Sequence, residues 1–420
     1  MNLASLVAMP SREGWSPRPL KAFISANDSG VWGQDADGGP RDTIVLRSTD
    51  VALDGGWRIE DPAVRSLSPS ERRASALRRG DLIVVKSSGS KAHLGKVALV
   101  TNEVEALAPS FSNFMQRLRP LQTSDPRYLW YLLNSRLGRE QMVLLGTTST
   151  GLQNLSGGIL GSVICPGPPV SAQHSIADYL DVETARIDAL IEAKRRSVEL
   201  LSERRAAAVG LAVFGSARGE AGRSESLVGD MVRAGGSPGT WRRMPLKRIA
   251  TMRAGKAITS EGITDAGEYP VFGGNGPRGF TTQFTHDGEY VLIGRQGALC
   301  GNVNYASGRF WASEHAVVVA ADSHTDLRWL GELLRTLNLN RLSQSAAQPG
   351  LSVEVIESIE VAIPPSDEQR AIGDYLDAIT SEAASLTSVT IAQIDLLLER
   401  REALITAAVT GQLEIPGVAA

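Results

Sequence analysis

Apolar residues three and four positions apart run down two long stretches of the chain. In the first they are Ile176, Tyr179, Leu180, Ile187, Leu190, Ile191, Val198 and Leu201. In the second they are Ile372, Tyr375, Leu376, Ile379, Leu386, Val389, Leu396, Leu397 and Leu404. This period predicts a helix with one apolar stripe. No proline interrupts Ala172 to Val209, and the second stretch has only Gly373 before Gly411. The pairs Pro168-Pro169 and Pro364-Pro365 stand just ahead, where proline enforces an extended entry. In the second copy Ser366 reads as an N-cap, with Asp367 and Glu368 in the first turn and Gln369 three residues on. The first copy has the weaker "VSAQ". About 38 residues at about 1.5 Å each make a rod of roughly 57 Å. A stripe that long calls for another helix, and the simplest partner is its own duplicate, packed antiparallel.

The two stretches are copies. A shift of 196 aligns Pro168–Gly215 with Pro364–Gly411 without a gap, and 19 of the 48 columns are identical, "DYLD" (Asp178–Asp181, Asp374–Asp377) and "ERR" (Glu203–Arg205, Glu399–Arg401) among them. The duplication reaches further. "WSPRPLK" (Trp15–Lys21) matches "WRRMPLK" (Trp241–Lys247), "DPRYLWYLLN" (Asp125–Asn134) matches "DLRWLGELLR" (Asp326–Arg335), and "QNLS" (Gln153–Ser156) matches "PGLS" (Pro349–Ser352). The expected order is a globular unit over 1–165, a helical region over 166–215, a Gly/Ser-rich linker over 216–240, a second globular unit over 241–363, a second helical region over 364–415 and a tail over 416–420.

Inside the globular units the period changes to that of strands. "GDLIVVKSSGSKAHLGKVALV" (Gly80–Val100) and "GEYVLIGRQGALCGNV" (Gly288–Val303) share one pattern: an acidic turn, an apolar strand, a glycine-rich polar loop with a cation, then another strand. "GEYPVFGGNGPRGF" (Gly267–Phe280) adds a glycine-laden loop. Glycine lets backbone approach a ligand closely, and amide and guanidinium tips suit base edges and phosphates; a plain cluster of turns would look the same.

Charge changes the picture modestly. The net charge is −3. Residues 1–165 carry 19 basic and 15 acidic side chains, +4, whereas residues 364–420 carry 3 basic and 9 acidic, −6. Residues 166–215 are at −1, so both repeated helices are neutral to acidic and poor surfaces for phosphates, and any DNA contact falls to the segments between them. Cys165 and Cys300 fit neither a disulfide framework nor a metal spacing and read as buried residues of a reducing cytoplasm. No apolar run is long enough to span a membrane, and the start lacks the basic region of a signal peptide.

Enzyme signatures fail. Gly274–Gly279 fits G-x-G-x-x-G formally, but a proline lies inside it and no apolar helix follows. "GSKAHLGKV" (Gly89–Val97) is one residue too long for a phosphate loop, and Val97 stands where Ser or Thr would hold magnesium. The adenine-methyltransferase tetrad is absent, and no carboxylate pair has nuclease spacing. His174 reads as a solvated residue at a helix start, and His315 as structural.

A proline pair, a glutamine and "I-x-D-Y-L-D" opening a long helix that ends in "E-R-R", twice, each after a variable unit closing in "N-L-S" or "G-L-S", resembles the specificity subunit of type I restriction–modification systems. The resemblance covers essentially the whole chain; Ser171 and Ala172 depart from the acidic stretch usual at the first entry. It implies an α+β protein: two target-recognition domains, each followed by a long helix, the helices forming an antiparallel coiled coil with a pseudo-twofold internal repeat. Each domain would read one half of a bipartite double-stranded DNA site while the helices set the gap. Two methyltransferase subunits would dock on the helices, and restriction subunits would join them. S-adenosylmethionine, ATP and Mg²⁺ would sit on those partners, leaving this chain without cofactor, metal or catalytic residue. The expected DNA contacts are Lys86, Ser87, Ser88, Lys91, His93, Lys96, Thr147, Thr148 and Ser149 in the first unit. In the second they are Lys256, Asn275, Arg278, Arg295, Gln296, Asn302 and Gln348. Tyr179, Arg186, Glu203, Arg204, Tyr375, Glu399 and Arg400 are the expected partner contacts on the helices. The competing reading is a duplicated DNA-binding or scaffold protein with no methyltransferase partner.

Overall fold

The computed structural model describes residues 12, 14–87, 93–146, 154–214, 241–297, 299–343 and 350–418. The expected 216–240 linker lies outside them. The chain forms two compact units, residues 1–193 with 392–420 and residues 194–391. The division differs from the sequence boundaries because each long helix contributes to both units rather than standing as a region of its own.

In the first unit β1 (Arg18–Pro19), β2 (Ile24–Ser29), β3 (Gln34–Asp35), β4 (Asp42–Leu46), β5 (Ala63–Ser66), β6 (Leu82–Val85), β7 (Val97–Leu99), β8 (Ser110–Phe111), β9 (Met115–Pro120) and β10 (Ile164–Cys165) form two sheets and a ribbon. The orders are β2-β9-β6-β7, β3-β5-β4-β8 and β1-β10. Helices α1 (Pro69–Ser75), α2 (Asn102–Ala106), α3 (Pro126–Asn134), α4 (Arg136–Gly146) and α5 (Gly157–Gly161) surround them, and α6 (Val170–Phe214) begins here. β6 is apolar throughout because both its faces are covered: Leu82 and Val84 join the core under α3, while Ile83 and Val85 point into the core of the second sheet.

The second unit repeats this plan. Its strands are β11 (Arg242–Pro245), β12 (Ala250–Ala254), β13 (Tyr269–Gly273), β14 (Gly276–Thr281), β15 (His286–Asp287), β16 (Tyr290–Gly294), β17 (Val303–Ala306), β18 (Arg309–Ala312), β19 (Ala316–Ala321) and β20 (Glu360–Ile363). The order β12-β19-β16-β17 reproduces β2-β9-β6-β7, and the ribbon β11-β20 reproduces β1-β10. The remaining sheet, β14-β13-β18-β15, keeps a hairpin beside a parallel pair, as β5-β4-β8 does, but gains its edge strand on the other side. Helices α7 (Leu327–Thr336) and α8 (Val353–Glu357) take the places of α3 and α5, and α9 (Ser366–Val409) is the second long helix.

The repeated columns fasten each helix entry to its unit. Gln173 Oε1 accepts the backbone N–H of Asp125 at 2.9 Å while its Nε2 donates to the Pro168 carbonyl at 3.0 Å. Gln369 does the same with Asp326 at 3.0 Å and Pro364 at 2.8 Å. One amide thus ties the proline entry to the N-cap of α3 or α7. Asp181 takes Arg127 at 2.7 Å and the Tyr131 hydroxyl at 2.8 Å, and Asp377 takes Arg328 at 2.5 Å. Ile176 and Leu180, like Ile372 and Leu376, are buried in their unit's core. Ser366 is not a cap: it opens α9, and its hydroxyl donates to the His324 carbonyl at 2.7 Å. His174 is not simply solvated, since its Nδ1 lies 2.5 Å from Asp125 Oδ2.

Within the first unit Ala172, Ile176 and Leu180 of α6 share a core with Ile405, Ala408 and Val409 of α9, and Arg401 meets Asp188 at 2.8 and 3.2 Å, so the helices run antiparallel. Within the second unit Val209 and Val213 share a core with Ile372 and Leu376, and Arg205 donates to Thr380 at 3.3 Å, again antiparallel. The expected stripe is only partly buried: Leu190, Leu386, Val389 and Leu396 are exposed. Nor are residues 416–420 all a loose tail. Gly411 ends α9 with φ +75°, Ile415 and Val418 are buried, and Arg12 donates to the Val418 carbonyl at 3.3 Å. Among the described residues no helix is long and apolar enough to cross a membrane.

Asp125 gives the first unit an acid limit. Burial pushes its carboxyl upward, but hydrogen bonds from His174, from the Arg127 side chain and from the Arg127 backbone outweigh burial and hold it below the ordinary range. A depressed folded value means stability is fully present above the unfolded pKa of about 3.9 and is lost as pH falls through the lower folded value. The urea resistance of the first unit is expected to fall as pH drops below about 4, with Asp125→Asn flattening that slope. An unchanged slope in the variant would assign the acid sensitivity to other groups.

Candidate nucleic-acid interface

The candidate residues gather where the central strands β6 and β16 leave their sheets. In the second unit β16 ends at Gly294. A Cβ there would lie 2.3 Å from the Gly274 carbonyl oxygen, so glycine alone lets the β13–β14 turn close onto the strand end. The turn itself needs Gly276 at φ +94°. This approach brings Asn275, Arg278, Gln296 and His315 around one depression of about 430 Å³. Asn302 Nδ2 donates to Asn275 Oδ1 at 2.6 Å, and His315 Nδ1 lies 3.2 Å from Gln296 Oε1. Asn275, Arg278, Gln296 and Asn302 are exposed and Arg295 is half-buried. Lys256 is exposed just beyond β12, its carbonyl accepting the Trp311 indole N–H at 3.1 Å.

The first unit holds the same frame. The Lys86 N–H donates to the Phe114 carbonyl at 3.1 Å and the Lys86 carbonyl accepts from Leu155 at 2.8 Å; the Arg295 N–H donates to the His315 carbonyl at 2.8 Å and its carbonyl accepts from Leu351 at 2.9 Å. Ser87 then bridges Asn154 as Gln296 bridges Gly350. Lys86 and Arg295, and Ser87 and Gln296, therefore occupy equivalent places with different side chains. Burial lowers the Lys86 pKa. His93 is exposed on the turn before β7.

Lys96 is a correction. It is 1% exposed, and its ammonium donates to the carbonyls of Ser48, at 3.1 Å, and Val51. Burial, then the charges of Arg139 and Arg58, lower its pKa. It fastens the β6–β7 turn to the loop after β4 and presents nothing to DNA. Ser88, Lys91, Thr147, Thr148, Ser149 and Gln348 lie outside the described residues. Phe114, an exposed aromatic, stands beside Lys86 in the position of His315, and nothing in its local sequence pattern singles it out.

On the helices Arg186, Glu203, Arg204, Glu399 and Arg400 are exposed, Arg186 being paired with Glu183. Tyr179 and Tyr375 are half-buried against their own cores, so only their outer edges face outward. Two leucine pairs identical in the repeat are exposed instead: Leu190 at 53% with Leu386 at 45%, and Leu200 at 53% with Leu396 at 64%.

The duplicated fold finds its counterpart in known proteins. The family model for the type I restriction modification DNA specificity domain matches residues 72–200 and 238–396, more than half of the chain. The chain belongs to this family. The specificity subunit of the type I restriction enzyme EcoprrI from Escherichia coli is 41% identical over 152 residues, 35% of this chain and 38% of that protein. A putative type I specificity subunit of Haemophilus influenzae is 29% identical over 151 residues, again 35% and 38%. These matches thus span well under half of either relative. Among solved structures, a chain of a type I R-M system has a TM-score of 0.75 at 18% identity, covering 96% of this chain and 99% of its own. The HsdS subunit of Thermoanaerobacter tengcongensis has 0.58 at 18% identity, covering 96% and 98%. The specificity-domain fold therefore accounts for nearly all of the chain.

Proposed function

We propose that this protein is the DNA sequence-specificity subunit of a type I restriction–modification complex, each unit reading one half of a bipartite target. The observation that carries this reading is the equivalence of Lys86-Ser87 and Arg295-Gln296: one backbone frame, used twice, ends in two different sets of donors and acceptors. Two readers built alike but tipped differently suit two different half-sites. The continuous helices α6 and α9 set the gap between the halves, as half-site geometry requires. Their exposed, repeat-identical leucines support docking of two copies of one methyltransferase subunit, onto which restriction subunits assemble. The chain itself is non-catalytic and works in the cytoplasm; S-adenosylmethionine, ATP and Mg²⁺ belong to its partners.

The test is co-expression with the methyltransferase subunit in a methylation-free host, mapping modified adenines by single-molecule sequencing. A bipartite motif with a fixed gap, absent when this chain is omitted, is the expected result. A soluble complex that leaves no modification would favour the scaffold reading. In the same assay Arg295→Ala is expected to relax one position of the second half-site, reducing base discrimination there about tenfold to a hundredfold while the first half-site stays intact. Uniform loss across all sites would remove Arg295 from the readers.

A further inference from the structure

We propose that Gln116, Asn27 and Ser29 are positioning residues that aim the Lys86 ammonium at an acceptor-bearing base edge, guanine O6 or N7, in the first half-site; this rests on the proposed specificity function. Lys86 Nζ lies 2.6 Å from Ser29 Oγ and 3.4 Å from Gln116 Oε1. An ammonium has three donors; among the described residues Ser29 and buried Gln116 take two, and the third is offered to a ligand. A lysine is otherwise a mobile point charge on a flexible stem, suited to phosphate but poor at choosing among bases.

The relay behind it has a fixed direction. Gln116 is buried, and its Nε2 donates to Asn27 Oδ1 at 2.7 Å; Asn27 Nδ2 donates in turn to the Gly157 carbonyl at 2.7 Å. Flipping either amide would set donor against donor, so the carbonyl at the end of the chain orients both amides and, through them, the ammonium. Gly157 keeps the contact close: a Cβ there would lie 3.0 Å from Gln116 Nε2 and 3.1 Å from Asn27 Oδ1.

The fold does not require this network. The strand registers place Val317 where Gln116 stands, Ala254 where Ser29 stands and Met252 where Asn27 stands. The second unit therefore builds the same sheet with three apolar residues, Val317 and Met252 lying in its core. At the position of Lys86 it carries Arg295, whose planar guanidinium presents a rigid fork without such help. A polar relay kept only behind the lysine is accounted for by what the lysine must do.

The experiment uses the chain assembled with its methyltransferase partner and reads the methylated motif. Gln116→Val with Asn27→Met copies the second unit's solution. It is expected to relax one base position of the first half-site at least tenfold, at the position also relaxed by Lys86→Ala, while the second half-site is unchanged. Should the double variant fail to assemble, Ser29→Ala at an exposed position gives the same readout. An unchanged motif, or a uniform fall in methylation with every base preference intact, would overturn the proposal and leave Lys86 a phosphate contact or a structural group. A wild-type complex without any bipartite motif would overturn the specificity function, and this role with it.

Discussion

Replacing Glu332 with alanine is expected to cost the second unit about 2–3 kcal/mol, a large share of the stability of a domain. Glu332 is 1% exposed on α7. Arg328 reaches its carboxylate at 3.3 Å, Arg335 pairs with it, the Tyr305 hydroxyl donates to it at 3.2 Å, and Arg205 of α6 stands 3.9 Å away. One carboxylate thus joins α7, β17 and the long helix. Its removal leaves three partly exposed guanidinium groups close together with one counter-charge fewer, Arg328 alone of them keeping a second carboxylate partner, Asp377, among the described residues. Glu332→Gln keeps the volume and one acceptor and should cost less. Because the chain has two units, a single unfolding midpoint is not the right measure; hydrogen exchange of peptides covering Leu327–Thr336 is. Unchanged protection of α7 in the alanine variant would show that the arginines find other partners.

The same column shows what the sequence reveals and what it hides. Matching "DPRYLWYLLN" with "DLRWLGELLR" puts Tyr131 opposite Glu332. In the first unit Tyr131 lies 2.8 Å from Asp181 and 3.2 Å from Thr184; in the second the carboxylate gathers arginines. Repetition identifies the equivalent place, but its chemistry depends on residues brought in from helices far along the chain. The repeat, the helix pair and the strand-like runs were legible because each is a local period or a column match. Gln173 and Gln369 were legible as a match and not as a clasp, since their partners Asp125 and Asp326 lie 48 and 43 residues away. Lys96 misled for the same reason: a cation in a glycine-rich polar stretch resembles a ligand contact until the carbonyls of Ser48 and Val51 are seen around it. Periodicity also treats every stripe position as buried. Here Ile187 and Ile191 are inside, while Leu190 between them is outside.

Those exposed leucines carry the second large effect. If two methyltransferase copies dock on the helices as proposed, Leu190→Asp with Leu396→Asp, both in the first unit, should abolish binding of one copy, and Leu200→Asp with Leu386→Asp, both in the second, should abolish the other. Each buried leucine at an interface contributes about 1.5–3 kcal/mol, so losing two weakens docking by roughly two to four orders of magnitude, before the cost of burying a new carboxylate. The register that pairs Asp188 with Arg401 puts Leu190 and Leu396 within about one helical turn of the same level. Because these side chains are exposed in the chain alone, its own stability should change by no more than about 0.5 kcal/mol per site, which separates lost docking from unfolding. The measurement is the mass of the purified complex: two copies of the partner for the unaltered chain, one for either double variant and none for the four combined. Two copies retained in every variant would place docking off these leucines and leave the acidic outer face of α9 as the surface to test.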